Sequence, residues 1–184
     1  QGSWREYCTD RSRAVGEVTG WHGWASTDSG VTWAEDTAVG AQWNWRDITA
    51  SSDGTKLAAT HGGVEWTGGY IWISMSSGAS GTKAASVGVK KNWGAITSSS
   101  DGTKLAAVVN GGHIWTSTNS GATWTEDTSV GSPLNWRSIT SSSDGTTLAA
   151  THGRVQWTGG SIWPSMNSGA TWTKDTSEGV TTQW

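Results

Sequence analysis

A chain of 184 residues is about one domain long and can bury a real core. Only 15% of residues are charged, the net charge is −3, and the 12 Lys and Arg read as scattered. That balance carries no footprint for a phosphate backbone or an anionic lipid surface, and no apolar run approaches the roughly 18 residues of a membrane helix, so nucleic acid and membrane insertion are set aside. With 16 Trp, two Tyr and no Phe, indole has to supply nearly all large aromatic surface, while 26 Gly imply many turns.

Repetition organises the chain from its start. A worn first copy opens at Trp4-Arg5-Glu6-Tyr7-Cys8, is shortened through Asp10 to Val18, and is back in phase by Trp24-Ala25-Ser26. Cys8, the single cysteine, excludes an internal disulfide and a thiolate metal cluster; it is expected as a small apolar residue on a strand. The second copy begins at Trp45-Arg46-Asp47-Ile48-Thr49, the third at Trp93-Gly94-Ala95-Ile96-Thr97 and the fourth at Trp136-Arg137-Ser138-Ile139-Thr140. Each copy reads as four short strands. The third shows them best: Trp-x-x-Ile-Thr alternates as a first strand and is closed by a Ser-Asp-Gly-Thr turn, in which Asp suits the turn entry and Gly supplies positive φ. Lys-Leu-Ala-Ala-Val is the second strand, Ile114-Trp115-Thr116 the third and Thr123-Trp124-Thr125-Glu126 the fourth. Helical spacing is absent.

Four strands per roughly 45 residues mark a propeller blade, because one such sheet cannot cover both faces and must stack on its neighbours. The expected fold is therefore all-β: one four-bladed β-propeller of four-stranded antiparallel blades spanning residues 1–184, with blades at about 3–42, 43–91, 92–134 and 135–184 and the Trp-x-x-Ile strands lining the axis. Trp184 stands where a fifth copy would start, so the expectation is either that the chain ends as the ring closes or that it was cut from a longer array; the start at Gln1 reads as a processed chain or an excised piece.

Between strands three and four lies Ser117-Thr118-Asn119-Ser120-Gly121-Ala122-Thr123-Trp124, repeated at Ser26 to Trp33 and at Ser165 to Trp172. The segment resembles the Asp box, or BNR repeat, of sialidase-like propellers, and the resemblance covers nearly the whole chain. It implies a folding device in which Asx and Ser close the turn and Trp packs between blades. The copy at Ser74 to Gly81 has lost both the Asx and the Trp, so a looser hairpin is expected there.

A longer period overlies the first. Trp45 and Trp136 are 91 residues apart, as are Trp93 and Trp184, whereas single steps alternate between 48 and 43. The extra length falls between strands two and three, as His61-Gly62-Gly63-Val64-Glu65-Trp66-Thr67-Gly68-Gly69 and His152-Gly153-Arg154-Val155-Gln156-Trp157-Thr158-Gly159-Gly160. In a blade, loops one-two and three-four leave one face of the disc, and loops two-three and four-one leave the other. The long loops are thus separated from the regular turns and form the candidate site, since function gathers on long connections. Trp66 and Trp157 offer indole floors for a sugar ring. Glu65, Thr67 and His61 would be partners in one loop, and Gln156, Thr158, His152 and Arg154 in the other. The competing reading is that both loops merely extend a hairpin and tuck Trp against the next blade.

The Asp-box resemblance invites a sialidase, but six Arg and two Tyr do not assemble that family's arginine cluster, catalytic Asp and Tyr nucleophile, and its Arg-Ile-Pro signature is missing. Glu35-Asp36 and Glu126-Asp127 are adjacent on strands and point to opposite faces, so neither pair can flank one glycosidic bond. One His per long loop is too few for a metal site, and Asp53, Asp101 and Asp144 each bring one carboxylate, far short of a calcium loop. The Trp-rich repeats are also similar to the plant UV-B photoreceptor, without its Gly-Trp-Arg-His-Thr run, and to photosystem-assembly propellers, which would imply a protein-binding scaffold. The expectation is a secreted, non-catalytic, lectin-like propeller that needs no cofactor and binds a glycan or glycoprotein surface. The alternative is a protein-binding or self-associating structural scaffold.

Overall fold

The computed structural model describes residues 7–10, 22–25, 32, 34–36, 44–62, 68–153 and 160–176. Three strands come from the first copy: β1 (Tyr7–Asp10), β2 (His22–Ala25) and β3 (Ala34–Asp36), paired antiparallel in the order β1-β2-β3, with Cys8 opposite Trp24. The second blade is complete, in the order β4 (Asn44–Ala50), β5 (Leu57–Gly62), β6 (Ile71–Ser74) and β7 (Thr82–Lys83). A single 3-10 turn at Ala85–Val87 follows it, where only strand and loop were expected. The third blade holds β8 (Trp93–Ser98), β9 (Leu105–Gly112), β10 (Ile114–Ser117) and β11 (Thr125–Asp127). The fourth holds β12 (Leu134–Ser141), β13 (Leu148–Gly153) and β14 (Gly160–Ser165). The segment after β14 runs beside it through Thr173 N–H to Pro164 O and Asp175 N–H to Ile162 O, in the place of a fourth strand.

The third and fourth blades are not separate sheets. Leu134 and Asn135 of β12 pair with Gly112 and Asn110 of β9, which joins the two blades into one curled seven-stranded sheet. The short hairpin of the third blade leaves the tail of β9 free to reach the next blade's first strand. A lighter version of this join occurs one blade earlier, where Gly69 and Lys91 exchange both backbone hydrogen bonds at 2.8 and 3.0 Å.

Strict alternation along β8 would put Trp93 and Ile96, three residues apart, on opposite faces. A β-bulge between them, in which Gly94 and Ala95 of β8 face the single residue Val108 of β9, brings both into one core. Equivalent bulges follow Trp45 and Trp136, and Trp136 and Ile139 likewise share a core. The Trp-x-x-Ile spacing is thus the signature of a bulged strand, not of simple alternation.

Two buried cores lie between successive blades. Leu105, Ala107 and Val109 of β9 pack with Ala58, Ile71, Ala84 and Val87 of the second blade, while Ala106 and Val108 pack with Trp136, Ile139, Leu148 and Ala150 of the fourth. Trp124 closes the first of these cores and Trp172 the second, each donating its Nε1–H to the carbonyl of the Asp-box glycine, Gly121 or Gly169. Asp47 bridges two innermost strands, accepting from Ile48 N–H at 2.9 Å and from Ile96 N–H at 2.8 Å; burial nevertheless pushes its carboxyl above the usual carboxylate range.

In the Ser-x-Asn-Ser-Gly turns, Asn and Ser side chains close the turn. Asn119 Oδ1 accepts from Ser117 Oγ and Thr123 N–H, and Ser117 Oγ accepts from Gly121 N–H; Asn167, Ser165, Thr171 and Gly169 repeat the set. The copy at Ser74 is not looser, because Ser76 takes the Asn role. Its Oγ accepts from Ser80 N–H at 3.1 Å, and Ser74 Oγ accepts from Gly78 N–H at 3.0 Å. The central serine is left-handed in all three boxes: Ser77, Ser120 and Ser168 have φ of 55°, 55° and 57°.

Replacing Trp124 with Ala should cost about 3–5 kcal/mol of stability, as large truncations in cores do, read as a lower midpoint in denaturant unfolding. A pH profile gives a second check. Asp53 and Asp101 are held down at about 2 by hydrogen bonds, first from Ser51 or Ser99 and then from Thr55 or Thr103; Asp144 is lowered in the same way by Ser142 and Thr146. Their folded values lie below the ordinary 3.8, so their contribution is present above pH 4 and is lost as pH falls towards 2. Changing all three to Asn should flatten the loss of stability in that window, measured by urea unfolding at stepped pH.

Candidate functional site

One face of the array is filled by its own turns. Asp-box and Asp-Gly turns of the same blade are tied by Ser77 N–H to Thr55 O, Ser120 N–H to Thr103 O and Ser168 N–H to Thr146 O, each 2.8 Å. Successive blades are tied by Ser52 N–H to Ser100 O and Ser100 N–H to Ser143 O, both 2.7 Å. Lys56 and Lys104 lay their stems over the glycines of the next turn and donate to Asp101 O and Asp144 O. Gly102 and Gly145 are required there on two counts: their φ values are +65° and +68°, and a Cβ would lie 3.0 Å from Lys56 or 2.8 Å from Lys104.

On the opposite face, of the nine candidate residues, Glu65, Trp66, Thr67, Arg154, Gln156, Trp157 and Thr158 lie outside the described residues. His61 and His152 are placed, and both sit on strands rather than in loops, at the ends of β5 and β13. His61 is 2% exposed. Its Nε2 accepts from Tyr70 N–H at 3.1 Å, and its ring meets Trp45 edge-on at 6.0 Å and Tyr70 at 5.7 Å. Burial is the first cause that lowers its pKa, and the charge of Lys90 adds to it. His152 stands in the same way against Trp136 at 5.9 Å and Trp163 at 6.5 Å, half-buried. The two histidines are thus packed against rings at the strand ends from which the long loops depart.

The structure also brings together residues that sequence reasoning passed over. Gly68 and Gly69, the return stem of the Trp66 loop, lie against Lys90 and Lys91, and a Cβ on Gly68 would be 3.1 Å from the Lys90 carbonyl carbon. Lys83 Nζ stands 4.0 Å over the Tyr70 ring, Lys90 Nζ 6.0 Å from it, and Lys91 Nζ 4.5 Å over Trp115. A signal was available in the repeat itself: Lys83-Ala84 stands where other copies have Glu35-Asp36, Glu126-Asp127 and Lys174-Asp175.

Among the described residues no group of three His, Cys, Asp or Glu is placed to hold a metal. Glu126 is exposed at a strand end, and Asp127 Oδ1 caps its own turn by accepting from Ser129 N–H. Asp53, Asp101 and Asp144 are likewise spent on closing turns.

No protein-family model matches the chain, and no curated protein sequence does. Solved structures do match in fold. The GH74 xyloglucanase from Xanthomonas campestris aligns with a TM-score of 0.58 and 14% identity over 83% of this chain and 26% of that one. An ancestral GH74 enzyme gives 0.59 and 17% over 87% of this chain and 24% of the other. YCF48 from Cyanidioschyzon merolae gives 0.55 and 16% over 84% and 52%. The chain therefore spans about a quarter of the length of the two enzymes and half of YCF48. All three are β-propeller proteins, and the likeness assigns the chain an all-β, propeller-type fold of curled, stacked sheets.

Proposed function

We propose that the chain forms one four-bladed Asp-box propeller and acts as a secreted, non-catalytic carbohydrate-binding module through its long-loop face. One observation carries this reading: the two faces are divided in labour. The turn face spends its polar groups on tying turns and blades together. The long-loop face sets the ring clusters Trp45–His61–Tyr70 and Trp136–His152–Trp163 at the strand ends from which two long loops depart, 91 residues apart in sequence. Rigid ring supports under a Trp-bearing loop suit a shallow sugar site, in which an indole face stacks on the sugar and amide or carboxylate groups take its hydroxyls. In the first loop those groups are Glu65 and Thr67; in the second they are Gln156, Thr158 and Arg154. The fold likeness to a xyloglucanase makes xyloglucan a sensible first probe.

Calorimetry against a glycan that binds should give two sites per chain, falling to one in Trp66→Ala or Trp157→Ala while unfolding stays unchanged. If no glycan on an array binds, the protein-binding or self-assembling scaffold takes this reading's place. Ring closure has its own check. Solution mass and small-angle scattering should show a compact monomeric disc, whereas an elongated monomer or an obligate pair of half-rings overturns four-blade closure.

A further inference from the structure

We propose that Lys83, Lys90 and Lys91, at the boundary of the second and third blades beside the Trp66 loop, bind the carboxylates of an acidic polysaccharide. The proposal rests on the carbohydrate reading of this face and names the class of sugar it takes.

The first support is the departure of this one blade from its own repeat. Gln42-Trp43, Pro133-Leu134 and Thr181-Thr182 stand where this copy has Lys90-Lys91, and an acid stands where it has Ala84, while Lys83 has a counterpart in Lys174 of the fourth copy. The repeat therefore does not require Lys90 and Lys91, and only this copy adds them to the lysine of its fourth strand. Three of the chain's six lysines fall within nine residues, in a protein whose net charge is −3. The basic residues are not scattered after all; the fold gathers half of the lysines at one boundary.

The second support is that no described carboxylate answers this charge. No described carboxylate pairs with any of the three ammonium groups, which stand over rings instead, two of them around the single ring of Tyr70. Like charges held together without an anion between them repel, and an incoming carboxylate relieves the repulsion. Lys91 lies over Trp115, which packs edge-on against Trp93 at 6.3 Å, so the charge sits on a rigid aromatic support.

A polysaccharide fits better than a peptide. An acidic peptide held as an added strand needs a sheet edge, and β7, the outer strand here, is only two residues long. A uronate chain needs no edge: it offers flat sugar faces to aromatic rings and a carboxylate at each residue to the lysines.

The test uses the intact chain in calorimetry with polygalacturonate, neutral xyloglucan and poly-glutamate. Polygalacturonate should bind most tightly and weaken as salt rises. Lys90→Ala with Lys91→Ala should weaken it by about tenfold, as loss of two charge-assisted contacts would. Because Lys91 also anchors Gly69 through its backbone, Lys83→Ala serves as the second variant, and thermal unfolding of each should match the parent. Xyloglucan binding as tightly as polygalacturonate, and indifferent to all three substitutions, overturns the acidic class while leaving the carbohydrate reading intact. Poly-glutamate binding as well as polygalacturonate overturns the proposal in favour of an acidic-protein surface. Binding of neither polysaccharide overturns both this proposal and the reading it rests on.

Discussion

A four-stranded antiparallel blade has two apolar faces and cannot cover either by itself; everything else in this protein follows from that constraint. The third blade shows it most fully, because alternate residues of β9 serve two different cores. Small residues on the second strand, such as Ala106 and Ala107, let neighbouring sheets approach, and indoles fill the wider gaps that remain. A chain with no Phe can do this because Trp124 and Trp172 are each tethered by a hydrogen bond to the turn before them, so one residue type supplies both the volume and the orientation.

Stacking needs the blades to hold their register, and the turn face supplies it. Each of the three described Asp-Gly turns is bonded to the Ser-rich turn of its own blade, and the first two are also bonded to the turn of the next, with a lysine stem lying across the following glycine. The consequence is a face with its polar groups already committed. The opposite face is relieved of structural work, which is the physical reason that insertions such as the two long loops are tolerated there. Its histidines still serve the fold from below: His61 and His152 fix rings at the strand ends where each long loop departs.

Repetition gives these features their meaning. In a chain of near copies, a residue that recurs is explained by the blade, and one that departs from its copies needs another account. Ser76 in place of Asn is a departure that the structure absorbs, because its hydroxyl accepts the same backbone N–H. Lys90 and Lys91 are a departure of another kind, and with Lys83 their ammonium groups, paired with no described carboxylate, collect where the stem of the first long loop returns.

Read alone, the sequence determined the all-β class, the copies, the Asp-Gly turns and the Ser-x-Asn-Ser-Gly turns. Each of these depends on contacts within a few residues, and local chemistry such as Asn119 to Thr123 is visible as spacing. Tertiary structure decided what depends on partners far along the chain. The bulge that puts Trp93 and Ile96 on one face requires β9 as its partner, and the join of β12 to β9 requires a hairpin short enough to leave that strand's tail free. The packing of His61 against Trp45 and Tyr70, and the meeting of Lys90 and Lys91 with the stem of a loop more than twenty residues earlier, follow from strands that curl back in space. Sequence spacing records which residues can pair locally; only the packing of curled, stacked sheets determines which distant ones share a face.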